Sequence, residues 1–159
     1  MSVLSMHSPV GDLTIFALGD GDDEAIVALE WGWGSLQSPT PLLARAKTAL
    51  EAYFDTGILP RGLPLAPAGT PYRQKIWAAL RAIPDGETRS YLDIATQAGG
   101  SPRAVGGANA ANPIPILIPC HRVIAVNGPG GYSGGDGLAT KHALLALERR
   151  HPQAGAPHQ

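Results

Sequence analysis

Leu13, Ile15 and Ala17 alternate along the chain, a glycine and aspartate cluster follows, and a second apolar run extends from Ile26 to Trp31. That pattern predicts a β-hairpin. Pro41 then opens a stretch in which Leu43, Ala46, Lys47, Leu50 and Phe54 fall at helical spacing, with Lys47 at the margin. The helix would cover the hairpin's apolar face. From Leu59 to Thr70 the run LPRGLPLAPAGT is dense in proline and glycine and is expected to be a linker.

Beyond it the pattern is helical. Ile76, Trp77, Leu80 and Ile83 make one stripe, closed by Pro84, Asp85 and Gly86. Ser90 precedes Asp93 at the third helical position, a capping box that satisfies two otherwise unpaired N–H groups. The helix it starts carries Tyr91, Ile94, Ala95 and Ala98 on one face and stops at Gly99 and Gly100. Ser101 and Pro102 start another helix, from Arg103 to about Ala111, which Asn112 and Pro113 close. Two short helices across a Gly-Gly-Ser-Pro turn have the dimensions of a helix-turn-helix. The second of them, RAVGGANAA, is built almost wholly of small residues. It suits either tight packing against its own domain or a close approach to a narrow minor groove. A last helix is expected from Ala139 to Arg149, with Leu144 and Leu145 inward.

The expected fold is therefore α+β. A small N-terminal antiparallel sheet with a helix covers residues 1–66, and a mainly helical domain containing the helix-turn-helix covers 67–150. A disordered tail is expected over 151–159.

Composition narrows the function. The 159 residues are 44% hydrophobic and 16% charged, a globular balance, and the 20 glycines and 15 prolines predict many turns. A single cysteine excludes an intramolecular disulfide or a cysteine-based zinc site, and the histidines at 7, 121, 142, 151 and 158 lack metal-ligand spacing. The longest apolar stretch, Ile114 to Pro119, is too short to span a bilayer, and no targeting segment is seen. These features predict a reduced, intracellular protein without metal, cofactor or membrane partner. Formal net charge is -1, but it is unevenly spread: residues 1–70 carry 3 basic and 8 acidic side chains, residues 71–159 carry 9 and 5. A DNA-facing surface would belong to the second segment.

The candidate chemistry lies in NPIPILIPCHRVI. Cys120 follows an apolar, β-leaning run and precedes His121 and Arg122, a setting that suits a thiol at the end of a strand better than core filler. The imidazole can accept the thiol proton, directly or through a water. A carboxylate should orient that imidazole, and Glu148 is the candidate, four residues after Leu144 on the apolar face. The same periodicity also allows Glu148 a shoulder position reaching solvent.

The segments PYRQKIWAALRAIPDGETRSYLDIA, RAVGGANAANPIPILIPCHRVI, GYSGG and KHALLALE resemble the O6-alkylguanine-DNA alkyltransferase family. SPVGDLTIF and the helix ending in EAYF extend the resemblance over nearly the whole chain. It implies irreversible transfer of a methyl or alkyl group from the O6 of guanine in duplex DNA to Cys120, by a monomer working once, with O4-alkylated thymine a second substrate class. It implies a location in the cytoplasm, at the nucleoid when on DNA, or in the nucleus of a eukaryote. Cys120 would be the acceptor, His121 the base acting through a water, Glu148 the orienting acid and Asn112 the brace of the cysteine turn. Tyr91 would donate toward the extruded base and Arg103 would fill the gap it leaves. Ala104, Gly106, Gly107, Ala110 and Arg122 would join Tyr91 and Arg103 on the DNA face. Trp77, Pro115, Tyr132 and Ser133 would line or support the substrate pocket, Ser133 facing the O6 oxygen.

The chain departs from the family pattern in its short GGSP turn, in Tyr72 and Arg73 where most members have phenylalanine and glutamine, and in a slightly longer GGDGLATK. Two other readings stay open on sequence alone. One is a non-catalytic recognition protein of the alkyltransferase-like kind, which lacks the acceptor cysteine. The other is a Cys-His-Glu hydrolase acting on acyl groups.

Overall fold

The computed structural model describes residues 1–150. The expected hairpin is part of a three-stranded antiparallel sheet of β1 (Ser2–Met6), β2 (Leu13–Leu18) and β3 (Ala25–Trp31), with β2 central. Leu4 and Leu29 flank Ile15 across it. In β1 the side chains of Leu4 and Met6 share a face with Ile15 and Leu13, and Ser5 stands with Thr14 on the opposite face, where both are buried. The Ser5 hydroxyl is satisfied there by the Thr14 hydroxyl at 2.8 Å and by the Gly34 N–H at 2.9 Å.

Helix α1 (Pro41–Thr56) starts at Thr40, whose side chain accepts from the Leu43 N–H, and stops at Gly57 in the left-handed conformation. Its buried face is Leu43, Ala46, Leu50 and Tyr53. The expected Phe54 is only half-buried, and Tyr53 takes the inner place. Tyr53 and Phe54 lie about equally far around the helix from the direction shared by Leu43, Ala46 and Leu50, so the 3.6-residue period alone does not choose between them. Leu59–Thr70, expected as a linker, is laid against the sheet instead. The Ile26 N–H donates to Pro64 and Ala66 donates back to Ile26, while Leu59 and Leu63 are buried.

Helix α2 (Pro71–Arg81) buries Ile76, Trp77 and Leu80 as the stripe predicts. Helix α3 (Tyr91–Ala98) has its capping box, with the Asp93 N–H on the Ser90 hydroxyl and the Ser90 N–H on the Asp93 carboxylate, each at 2.9 Å. Helix α4 (Pro102–Ala110) is capped by Ser101. Together α3 and α4 form the helix-turn-helix, and α2 packs against both. The short turn between them holds because Gly99 and Gly100 both adopt positive φ. A Cβ on Gly100 would come within 2.4 Å of the Tyr72 hydroxyl, which donates to the Gly99 carbonyl at 3.1 Å. Tyr72 therefore clamps this turn from α2.

A two-residue parallel pair, β4 (Arg89–Ser90) with β5 (Val123–Ile124), joins the entrance of α3 to the segment after Cys120. Helix α5 (Leu138–Arg150) closes the molecule against α1 and the cysteine turn. One core of buried side chains runs from Met6 in β1 to Leu147 in α5. No helix among the described residues is long and apolar enough to cross a membrane. The tail from 151 to 159, for which disorder is the expectation, lies outside the described residues.

Candidate active site

The run before Cys120 is not a strand. Pro113, Pro115 and Pro119 each lack an N–H and fix their φ, so the segment cannot ladder. It folds into turns in which Ile116 takes φ 72° and the Ile118 N–H donates to the Ile114 carbonyl. A β-branched residue there is a strained exception, held only by its surroundings. Asn112 supplies part of that hold. Its Nδ2 donates to the Ile118 carbonyl at 2.8 Å and its Oδ1 accepts from the Ile114 N–H at 2.9 Å. Cys120 then sits in a one-turn 3-10 helix with His121 and Arg122, and its carbonyl accepts from Asn109 Nδ2 at 3.2 Å. The thiol is fixed from both sides along the chain.

The three consecutive residues point different ways. Cys120 forms part of a cavity wall, while His121 and Arg122 are fully buried and converge on Glu148. His121 Nε2 lies 2.7 Å from Glu148 Oε2, and Arg122 Nε donates to Oε1 at 2.8 Å. Burial alone would raise the Glu148 pKa, but the charges and hydrogen bonds of His121 and Arg122 outweigh it and hold the carboxyl at about 2. An ionised carboxylate only accepts, so Nε2 must carry the proton and a neutral ring keeps its lone pair on Nδ1. Nδ1 is buried without a protein partner among the described residues. It is a ring nitrogen left open to accept a proton.

Burial pushes the Cys120 thiol up to about 11, although Asn112 and the Lys141 charge pull the other way. At neutral pH the protonated thiol is the resting form. The thiolate must therefore form during reaction, by proton transfer to a base.

The cavity beside Cys120 has a volume of about 290 Å³, at the small end of ligand pockets. Pro115, Tyr132 and Ser133 line it, joined by Asn112 and by Trp31 from the end of β3. Trp31 is pinned by its Nε1 donating to the Val10 carbonyl at 3.0 Å and by an edge-to-face contact with Tyr132. Gly134 lies so close to the Trp31 ring that a Cβ would approach it to 2.5 Å. Trp77 is not at the wall. It lies beneath α4, where its Nε1 donates to the Ala108 carbonyl at 2.8 Å, and so supports the helix rather than the pocket.

On the outer side of α4, Arg103, Ala104, Gly107 and Ala110 are exposed and Gly106 is half-buried, while Val105, Ala108 and Asn109 face the core. The small-residue helix thus packs by one face and leaves the other bare. Tyr91, Arg103 and Gly106 share an open apolar groove with Gly130 and Gly131, and the Gly131 N–H donates to the Tyr91 hydroxyl at 3.4 Å. Arg122 does not belong to this face. Its guanidinium is fully buried on Glu148, Asp85 at 2.9 Å and the Ile83 carbonyl at 2.9 Å, out of reach of any phosphate.

Sequence reasoning missed Tyr53, Asp85, Trp31 and Lys141. Lys141 is buried and donates from Nζ to the Val123 carbonyl at 2.6 Å and the Gly131 carbonyl at 3.0 Å, tying the glycine loop to the cysteine turn. A signal for it existed. Positions 141, 144, 145 and 148 share one helical face.

The helix-turn-helix stands beside a cavity whose wall includes a buried thiol, the combination found in a class of DNA-binding proteins to which the comparisons point. Residues 71–150 match the family described as the DNA-binding domain of 6-O-methylguanine DNA methyltransferase. The methylated-DNA--protein-cysteine methyltransferase of Mycolicibacterium paratuberculosis is 41% identical over 163 residues, covering 94% of this chain and 93% of that one. The constitutive enzyme of that name from Bacillus subtilis is 51% identical over 114 residues, covering 69% and 68%. The crystal structure of Mycobacterium tuberculosis OGT in complex with DNA superimposes with a TM-score of 0.80 at 39% identity, covering 97% of this chain and 96% of that one. The chain belongs to the 6-O-methylguanine DNA methyltransferase family.

Proposed function

We propose that this chain reverses alkylation damage directly, moving a methyl or larger alkyl group from the O6 of guanine in duplex DNA onto Cys120 in a single turnover. The observation that carries this reading is the buried Cys120 thiol at a small cavity, next in sequence to a histidine whose far nitrogen is held by an ionised glutamate.

A base inside a duplex hides its reactive atom, so the target must be turned out of the stack. The bare face of α4 brings Ala104, Gly107 and Ala110 close to the groove, and Arg103 at its front fills the space the base leaves. His121 Nδ1 takes the thiol proton, directly or through a water, while sulfur attacks the alkyl carbon in line. The carbon–O6 bond breaks and its electron pair goes to the purine. Tyr91 and Ser133 donate to the purine as charge develops, and the proton released by Cys120 ends on the neutral guanine. The product is a thioether, which water does not cleave at neutral pH, so the acceptor is consumed. Retention of Cys120 argues against a purely recognising protein. The working unit is a single chain in the compartment that holds the DNA.

If Arg103 serves extrusion, Arg103→Ala slows reaction with a methylated duplex by about 10-fold or more while reaction with free O6-benzylguanine stays within about threefold. Single-turnover rates with the two substrates check this. Equal losses on both would assign Arg103 to folding instead.

A further inference from the structure

We propose that Tyr53, from helix α1 of the N-terminal half, is a positioning residue for alkyl transfer, its hydroxyl holding the Glu148 oxygen that orients His121. The inference deepens the transfer reading above and rests on it. Tyr53 is fully buried, and its hydroxyl donates to Glu148 Oε2 at 2.5 Å across 95 residues of sequence. Oε2 is also the oxygen that His121 Nε2 meets at 2.7 Å, whereas Arg122 occupies Oε1. Tyr53 thus shares the one carboxylate oxygen on which the orientation and basicity of His121 depend. Burial and the neighbouring Glu148 charge push its phenol well above the usual range, so it acts as a donor and never as a second anion.

A phenylalanine would fill the same space against Phe54, whose ring lies 5.3 Å away. Only the hydroxyl distinguishes the two, which makes the substitution a clean probe. The charged and titratable groups that act on it are Glu148 from α5, Arg122 from the cysteine turn and Tyr132 from the glycine loop; His121 shares Oε2, and Asp85 holds the far side of Arg122. Removing the Tyr53 donor concentrates charge on Oε2, which then holds the His121 proton more tightly. Relative to the unsubstituted protein the variant favours the protonated ring and so depletes the base form.

The test follows Cys120 alkylation by free O6-benzylguanine across pH, so that no DNA step intervenes. In Tyr53→Phe the acid limb of the rate profile should move to higher pH, giving a rate about three- to tenfold lower on that limb and within about threefold on the plateau. Leu50→Ala, a packing change on the same buried face of α1, should lower stability and leave the limb in place. An NMR titration of the His121 ring reads the same shift without turnover, even if the variant is less stable. A slower Tyr53→Phe with an unmoved limb and an unmoved ring titration would overturn the proposal and leave Tyr53 a packing residue. If the unsubstituted protein fails to alkylate Cys120 at all, the transfer reading itself falls, which is a separate result.

Discussion

Cys120→Ser eliminates alkyl transfer, lowering the single-turnover rate by at least about 10³-fold, and leaves duplex binding within about twofold. The two halves of the expectation come from different parts of the molecule. Transfer needs a polarisable nucleophile at the cavity wall, and a serine hydroxyl there loses its proton far less readily than a thiol. On the proposed reading binding rests on Arg103 and the bare face of α4, and Arg103 lines a groove separate from the cavity that Cys120 lines. The replacement is nearly isosteric and is checked by rate measurements beside salt-dependent binding to the same duplex. Residual transfer in Cys120→Ser, carried by some other residue, would contradict the assignment of the acceptor.

Arg122→Ala destabilises the protein by about 3–5 kcal/mol, the cost of leaving a buried carboxylate without its cation. Arg122 satisfies Glu148, Asp85 and the Ile83 carbonyl together, and its side chain has no exposed surface. Screening by solvent therefore does little to soften the loss. Urea unfolding with an unchanged m-value measures it; a change below about 1 kcal/mol would place Arg122 among ordinary surface pairs. The same carboxylate sets an acid sensitivity. Glu148 has a folded pKa near 2 against an unfolded value of about 4.3, so the folded state binds its proton less readily. Its contribution to stability is fully present above the unfolded value and is lost as pH falls toward 2.

The parts of this molecule that obey local rules were legible in the chain. Ser90 with Asp93 and Ser101 with Pro102 announce helix starts through hydrogen bonds spanning three residues, and both caps form. Its distance from Leu144 allows Glu148 either an inward or a shoulder position, and the structure buries it against His121. Where partners lie far apart in sequence, pattern could not choose. Tyr53 and Phe54 are both aromatic at the end of α1, and only contact with Glu148 from α5 explains which turns inward. The family resemblance implies Arg122 on the DNA face, yet two carboxylates 26 and 37 positions away draw it into the core. Apolar residues before Cys120 suggested a strand, but the interspersed prolines deny it a ladder and produce the strained turn at Ile116. Trp31 was legible as part of a strand and not as part of a pocket, because the glycine loop that packs on it begins about a hundred residues later.

The most direct measurement is the mass of the peptide containing Cys120 after the protein has been incubated with a duplex carrying one O6-methylguanine and digested. Transfer predicts that this peptide gains one methyl group in place of a hydrogen, in proportion to the guanine restored in the DNA. Restored guanine with an unmodified Cys120 peptide would contradict it.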